Sequence, residues 1–259
     1  MRKILITGAA GFVGRHFVRR FLDAGDEVHA VDDVDLQIFR KEVLAIVGSN
    51  GAGKTTFVDA LTGFVPSRGV IRFAGEEIQD LPAHQRARRG LGRTWQSLEL
   101  FEDLTVRDNL MVAAENPKWF SFITDVFRPG RKVKAIEEQV DWALDIIGIN
   151  DLADKLPSDL SHGQRKLVSV SRALAARPKL VLLDEPAAGL SSGESVEMTK
   201  FLMRLDPKLA ILLIEHDMDV VFDLAHQISV LHFGEVLETG TPEQIKKSQK
   251  VQEIYLGTG

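Results

Sequence analysis

The sequence predicts an α/β protein built on a mainly parallel sheet. Three observations predict it. Short apolar runs alternate with stretches of helical period along most of the chain. One run, Val43 to Val47, leads directly into Gly48-Ser49-Asn50-Gly51-Ala52-Gly53-Lys54-Thr55, which fits G-x-x-x-x-G-K-S/T. A second, Leu180 to Leu183, is apolar throughout and ends in Asp184-Glu185. That is the pattern of a strand buried on both faces.

Element by element, Lys3 to Thr7 reads as a strand. Phe12 to Ala24 reads as a helix with Phe17, Val18, Phe21 and Leu22 on one side, and Glu27 to Val31 as a second strand after the stop at Gly25-Asp26. Val34 to Ile38 alternates like a half-exposed strand. After the strand at Val43 to Val47, Lys54 to Leu61 starts a helix. Val70 to Phe73 reads as a strand closed by a turn at Gly75, and residues 80–90 are basic and helical. Thr105, a good N-cap, opens a helix over 105–115. Residues 116–132 carry Pro117, Pro129 and Gly130 around Trp119, Phe120, Phe122 and Phe127, and read as a variable loop or short helical insertion. Helices are expected over 133–149, 164–176, 194–205, 218–225 and 242–255. Strands are expected over 179–183 and 209–214, with a hairpin pairing 227–231 and 235–238.

Composition bounds the function. A chain of 259 residues has room for one large domain or two small ones. Apolar residues at 44% and charged residues at 27% suit a soluble globular protein. A net charge of −5 supplies no basic surface for general nucleic-acid binding. The absence of cysteine excludes disulfides, thiolate catalysis and Cys-ligated metal. Apolar runs such as Leu209 to Ile214 fall far short of the roughly 20 residues a membrane span needs. Residues 1–25 alternate apolar and charged positions without a small-residue cleavage site, which argues against a signal peptide. Membrane association is then expected through a partner.

The loop at Gly48 to Thr55 has the parts that phosphate binding requires. Its glycines let backbone N–H groups turn inward around phosphates, and the following helix N-terminus adds positive potential. Lys54 is expected to reach the β- and γ-phosphates and the Thr55 hydroxyl to ligate Mg²⁺; Gly48, Ser49, Asn50, Gly51, Ala52, Gly53 and Thr56 complete the cradle. At the end of the apolar strand, Asp184 is expected to hold the Mg²⁺ shell and Glu185 to act as general base on the attacking water. Leu160-Ser161-His162-Gly163-Gln164 leads another helix. Ser161 is a good cap; its hydroxyl, the Gly163 N–H and the helix dipole, flanked by Gln164, also suit a γ-phosphate carried by a second subunit.

From about residue 30 to its end, the chain resembles ATP-binding cassette ATPases, the nucleotide-binding subunits of transporters. The resemblance rests on the phosphate loop, Gln96 in Arg93-Thr94-Trp95-Gln96-Ser97, the Leu160–Gln164 signature, Asp184-Glu185, and His216 in Ile214-Glu215-His216-Asp217. It implies a P-loop NTPase domain over 34–259, with a mainly parallel core sheet, an antiparallel β subdomain and a helical subdomain at about 97–176. ATP and Mg²⁺ are the implied cofactors, with Gln96 a sensor of Mg²⁺ and water and His216 a γ-phosphate switch. The implied partners are a second ATPase subunit, homo- or heterodimeric, transmembrane permease subunits and, indirectly, a periplasmic solute-binding protein, with no nucleic acid. The implied location is peripheral, on the cytoplasmic face of the cell membrane. Pro186-Ala187-Ala188-Gly189-Leu190, Met218 after His216-Asp217, the insertion around Trp119 and the tail from Gly240-Thr241-Pro242 to Tyr255-Leu256-Gly257 resemble the branched-chain amino acid import subfamily. That solute or a related polar one is therefore implied by analogy. Three departures stand out: His162 where the family most often has Gly, Ser191 and Ser192 where Asp or Asn is frequent, and Lys41 in place of a turn Gly.

Residues 1–33 resemble the opening strand–helix–strand of the extended short-chain dehydrogenase/epimerase family. Gly8, Gly11 and Gly14 space the loop, and Asp32 follows Gly14 by 18 residues. This implies a Rossmann-like fragment rather than an independent domain. That family's Tyr, four residues before a Lys, is missing: the single tyrosine is Tyr255, and position 259 is Gly. Ala30-Val31-Asp32-Asp33 fits both patterns, as at a splice, and no aromatic stands near Gly25 where a cassette would stack adenine; Phe21 is the nearest. The alternatives to an active transport ATPase are thus a cassette-like ATP-binding protein with impaired hydrolysis, hybrid or regulatory, and an NAD(P)-binding protein.

Overall fold

The computed structural model describes residues 3–6, 27–30, 34–95, 100–115, 129–205 and 208–253, with side chains described from residue 34 and, in the helix beginning at Pro129, from residue 133. In chain order the elements are β1 (Lys3–Ile6), β2 (Glu27–Ala30), β3 (Val43–Val47), α1 (Lys54–Thr62), β4 (Arg72–Phe73), β5 (Glu76–Glu77), α2 (Ala83–Arg88), β6 (Leu91–Arg93), α3 (Val106–Ala114), α4 (Pro129–Ile147), α5 (His162–Ala175), β7 (Leu180–Asp184), α6 (Ser192–Met203), β8 (Ala210–Ile214), α7 (Met218–Leu224), β9 (Gln227–His232), β10 (Glu235–Gly240), α8 (Pro242–Lys247) and α9 (Gln249–Val251). They fall into two compact units, residues 1–89 with 212–259, and residues 90–211. The α/β class is as the sequence predicts, and the pairings are mixed but mostly parallel.

In the first unit, β3 pairs in parallel with β9, Leu44 opposite Gln227 through Val47 opposite Val230. β9 turns back into antiparallel β10. Leu44 to Val47, Ile228 and Val230 are buried, as an apolar strand flanked on both faces requires. β1 and β2 make their own two-stranded parallel sheet, Lys3 opposite Glu27. The helix expected at 12–24 lies outside the described residues. Val34 to Ile38 alternates in exposure but forms no strand. The pattern is present; a ladder partner is not, among the described residues, and a strand needs one. The strand expected at 70–73 shortens to Arg72–Phe73, paired with Glu76–Glu77 across a turn in which Ala74 (φ 53°) and Gly75 (φ 88°) are left-handed.

Arg86 organises the middle of this unit. Its buried guanidinium donates to the carbonyls of Ala60 (2.8 Å) and Leu61 (2.7 Å) in the last turn of α1, and to Gln79 (2.7 Å) and Leu81 (2.8 Å). Gly63, left-handed at φ 82°, ends α1 beside it; a Cβ there would lie 3.0 Å from Arg86 Nε. A cation at a helix C-terminus is well placed against the dipole.

In the second unit, α3, α4 and α5 pack around one apolar core that includes Val106, Leu110, Val140, Leu144, Val168 and Ala175. Thr105 caps α3, accepting the Asp108 N–H. Asn109, fully buried, ties down the preceding loop: its Oδ1 accepts from Phe101 N–H, and its Nδ2 donates to the carbonyls of Phe101, Leu104 and Thr105. β6 lies parallel to β7, Leu91 opposite Leu180. It is a strand that sequence reading misses, because three residues centred on Gly92 carry no periodicity.

The C-terminal helix expected over 242–255 divides at Ser248 (φ −70°, ψ 114°), whose hydroxyl caps a short new turn by accepting from Val251 N–H. Residues beyond 253 lie outside the description, and with them Tyr255-Leu256-Gly257, the end of the tail motif.

Candidate functional site

The phosphate loop belongs to the first unit and is built from its sheet outward. β3 delivers the chain to Gly48, and α1 begins at Lys54. Gly51 (φ 82°) and Gly53 (φ 102°), the N-cap of α1, are left-handed, so the chain can double back there without a Cβ clash. The β9–β10 hairpin braces the loop. Gly234 N–H donates to Ala52 O at 2.9 Å, and a Cβ on Gly48 would sit 2.5 Å from the backbone oxygen of Leu231. Lys54, buried, donates through Nζ to Gly48 O (2.7 Å) and Ser49 O (3.1 Å). The first turn of α1 carries no acid, so no side chain of that turn offsets its positive end. Thr55 is exposed and Thr56 half-buried. A glycine cradle, an inward ammonium and an acid-free helix start suit a polyphosphate.

Gly48→Ala tests the bracing. Forcing a methyl against main chain costs about 1–3 kcal/mol, so ATP affinity is expected to fall roughly ten- to a hundredfold in a fluorescent-nucleotide titration. Unchanged affinity would show that the hairpin does not set the loop's shape.

His216 lies in the same unit, between β8 and α7. Glu215 beside it is fully buried, and its carboxylate accepts the His216 N–H at 3.1 Å and lies 3.8 Å from His216 Nδ1. Asp217 caps α7, accepting from the N–H groups of Asp219 and Val220. The backbone on both sides of His216 is therefore fixed while its ring remains mostly exposed.

The second unit holds the carboxylates. β7 is buried along its whole length and ends at Asp184, itself buried. Thr94, just past β6, threads the two strands together: its N–H donates to Leu182 O (2.9 Å), and its hydroxyl accepts the Asp184 N–H (3.1 Å). The Arg93 guanidinium stands 3.7 Å from the Asp184 carboxylate and 4.3 Å from the centre of the Trp95 ring. Asp184 thus presents the hard oxygen donor that Mg²⁺ prefers, with its main chain locked. Glu185 follows in a left-handed conformation, φ 49°, half-buried. A non-glycine residue held there is a strained position of the kind that gathers at functional sites. Gln96 lies outside the described residues.

The signature residues open α5. Ser161 Oγ accepts the Gln164 N–H (3.2 Å), and Gln164 Oε1 accepts the Ser161 N–H (3.0 Å), a complete capping box. Gly163 is buried, and a Cβ on it would meet Glu194 Oε1 at 2.5 Å. Glu194 closes a second capping box with Ser191 at the start of α6. The Ser191 hydroxyl and then its N–H, with a smaller contribution from His162, hold the Glu194 carboxyl below the usual carboxylate range. Ser191 therefore serves as a helix cap. Lys41 adopts φ 69°, the strained turn that its replacement of glycine predicts. The sequence-predicted residues thus divide between the units: Gly48–Thr56 and His216 in the first, Ser161, Gly163, Gln164, Asp184 and Glu185 in the second.

Comparison with known proteins bears directly on this geometry. The family model described as ABC transporter matches residues 31–188. The chain belongs to that family. ATP binding and ATP hydrolysis are assigned to it on that membership. BraF of Pseudomonas aeruginosa, a high-affinity branched-chain amino acid transport ATP-binding protein, is 37% identical over 234 residues, 88% of this chain and 92% of its own length. LptB of Haemophilus influenzae, a lipopolysaccharide export system ATP-binding protein, is 36% identical over 229 residues, 88% of this chain and 90% of its own. The crystal structure of a nucleotide-free ATP-binding cassette from an ABC transporter aligns with a TM-score of 0.74 at 28% identity, covering 88% of this chain and 93% of that one. Among the described residues, no helix of this family member is long and apolar enough to cross a membrane.

Proposed function

We propose that this chain is the ATP-hydrolysing subunit that energises a membrane importer for branched-chain amino acids or a related polar solute. The observation that carries the reading is the braced phosphate loop with Lys54 Nζ turned onto Gly48 O and Ser49 O. In this reading the loop N–H groups and Lys54 bind the triphosphate. Thr55, Asp184 and Gln96 are the Mg²⁺ ligands, Glu185 takes the proton of the attacking water, and His216 contacts the γ-phosphate. Mg²⁺, when bound, neutralises charge developing on the phosphate oxygens. Ser161 and Gly163 receive the nucleotide of a second ATPase subunit, and transmembrane permease subunits hold the dimer peripherally at the cytoplasmic face, with a periplasmic solute-binding protein acting indirectly. BraF's name supports the solute class. LptB is nearly as similar and serves another cargo, which fits a division of labour in which membrane subunits choose the solute.

One observation favours a second reading, a cassette whose hydrolysis is impaired. Residues 34–38 form no strand, and β1 and β2 pair with each other in a sheet of their own. A single assay separates the two. The purified chain is expected to release phosphate from ATP, to lose that turnover when EDTA removes Mg²⁺, and to dimerise on adding ATP. Nucleotide binding without turnover would favour the second reading; no binding would sink both.

A further inference from the structure

We propose that Lys166 is a positioning residue for ATP hydrolysis: it pins the main chain at Glu185 to the signature helix, so that movement of the one re-aims the other. The proposal rests on the reading of Glu185 as the general base. Lys166 lies on α5, five residues after its cap Ser161, and is almost fully buried. Its Nζ donates to Glu185 O (3.0 Å) and to Ala188 O. An ammonium has three donors and no acceptor, and burying it is unfavourable unless strong acceptors surround it. Here those acceptors are the carbonyls at the two ends of one tight turn.

That turn has a reason to need holding. Glu185 adopts φ 49°, a conformation an L-residue leaves when its surroundings permit. Ala188 N–H closes the turn on Glu185 O at 3.2 Å, and Lys166 adds its charge-assisted bond to the same oxygen. Two further contacts join the same segments. A Cβ on Gly189 would lie 3.4 Å from His162 Nε2, and one on Gly163 would strike Glu194 Oε1. The first turns of α5 and residues 185–194 therefore form one block, and Lys166 ties the helix to Glu185 by a hydrogen bond. Since Lys166 holds the main-chain oxygens of Glu185 and Ala188, its expected effect is on where the Glu185 carboxylate points.

Steady-state MgATP hydrolysis by the full chain tests this. Lys166→Met and Lys166→Gln are each expected to lower kcat by about ten- to a hundredfold, the scale of a misplaced reacting group. KM is expected to stay within about twofold, since ground-state binding is untouched. Lys166→Arg, which keeps charge and donors, is expected to recover most of kcat. Adding Lys166→Met to Glu185→Gln is expected to cost nothing further, because the group being aimed is already gone. Wild-type kcat in both Met and Gln variants, with Glu185→Gln inactive, overturns the role of Lys166 alone. Losses that add to those of Glu185→Gln, or that Arg does not rescue, reduce Lys166 to a structural residue and also overturn it. Full turnover in Glu185→Gln removes the base on which the proposal stands. Should Lys166→Met fail to fold, the Gln and Arg pair decides.

Discussion

Glu185→Gln is expected to lower MgATP turnover by about 10²–10⁴-fold, the usual worth of a positioned general base. ATP affinity should remain within a few-fold of the unaltered chain, because the phosphate loop and Lys54 lie on other elements. Glutamine keeps the shape and the backbone of glutamate but cannot take up the water's proton. The carbonyl that fixes the backbone here, Glu185 O, is unchanged by the substitution, so its bonds from Lys166 and Ala188 survive. Phosphate release and a fluorescent-nucleotide titration on the same preparation separate the two effects. An ATP-induced dimer should also persist longer, since the reaction that ends it is blocked. Undiminished phosphate release would take the proton-accepting role away from Glu185.

Arg86→Met is expected to lower stability by about 3 kcal/mol, the scale of losing a set of hydrogen bonds from one charged group. Methionine replaces the stem of arginine and none of its donors. The carbonyls of Ala60, Leu61, Gln79 and Leu81 would then lose bonds of 2.7–2.8 Å from a guanidinium that is itself buried. Burial pulls the guanidinium's pKa below its ordinary value while the Asp80 charge pushes it up. The group stays charged, so its bonds to the carbonyls are charge-assisted. For a chain of this size the thermal midpoint should drop by roughly 6–12 °C, read by circular dichroism. Nucleotide should recover part of that loss by binding the folded state. A midpoint within a degree of the parent would mean that the carbonyls find other donors.

Much of this was legible from residue types. The loop announces itself because glycine, lysine and threonine must stand at fixed spacing after a strand. β7 and β8 are legible as unbroken apolar runs, and α3 and α5 as helical stretches behind Thr105 and Ser161; that Ser191 caps α6 came only with the structure. What sequence could not give is set by partners distant in the chain. β6 exists because β7 offers it a ladder, not because Leu91-Gly92-Arg93 prefers to extend. Val34 to Ile38 has the right alternation but no ladder among the described residues. Arg86 and Lys166 read as ordinary solvated charges on helices; only the fold brings carbonyls to them. Thr94 stands in the motif around Gln96, but nothing in the sequence tells that it bonds Asp184, 90 positions away.

The hairpin that braces the phosphate loop has a temporal consequence. Gly48 to Lys54 is synthesised early, but Leu231 and Gly234, which shape it, follow some 180 residues later. At roughly 5–20 residues per second of elongation, the loop waits on the order of ten seconds or more for those two contacts. A nascent chain that has not yet reached Leu231 and Gly234 therefore carries the nucleotide motif without the two contacts that shape it.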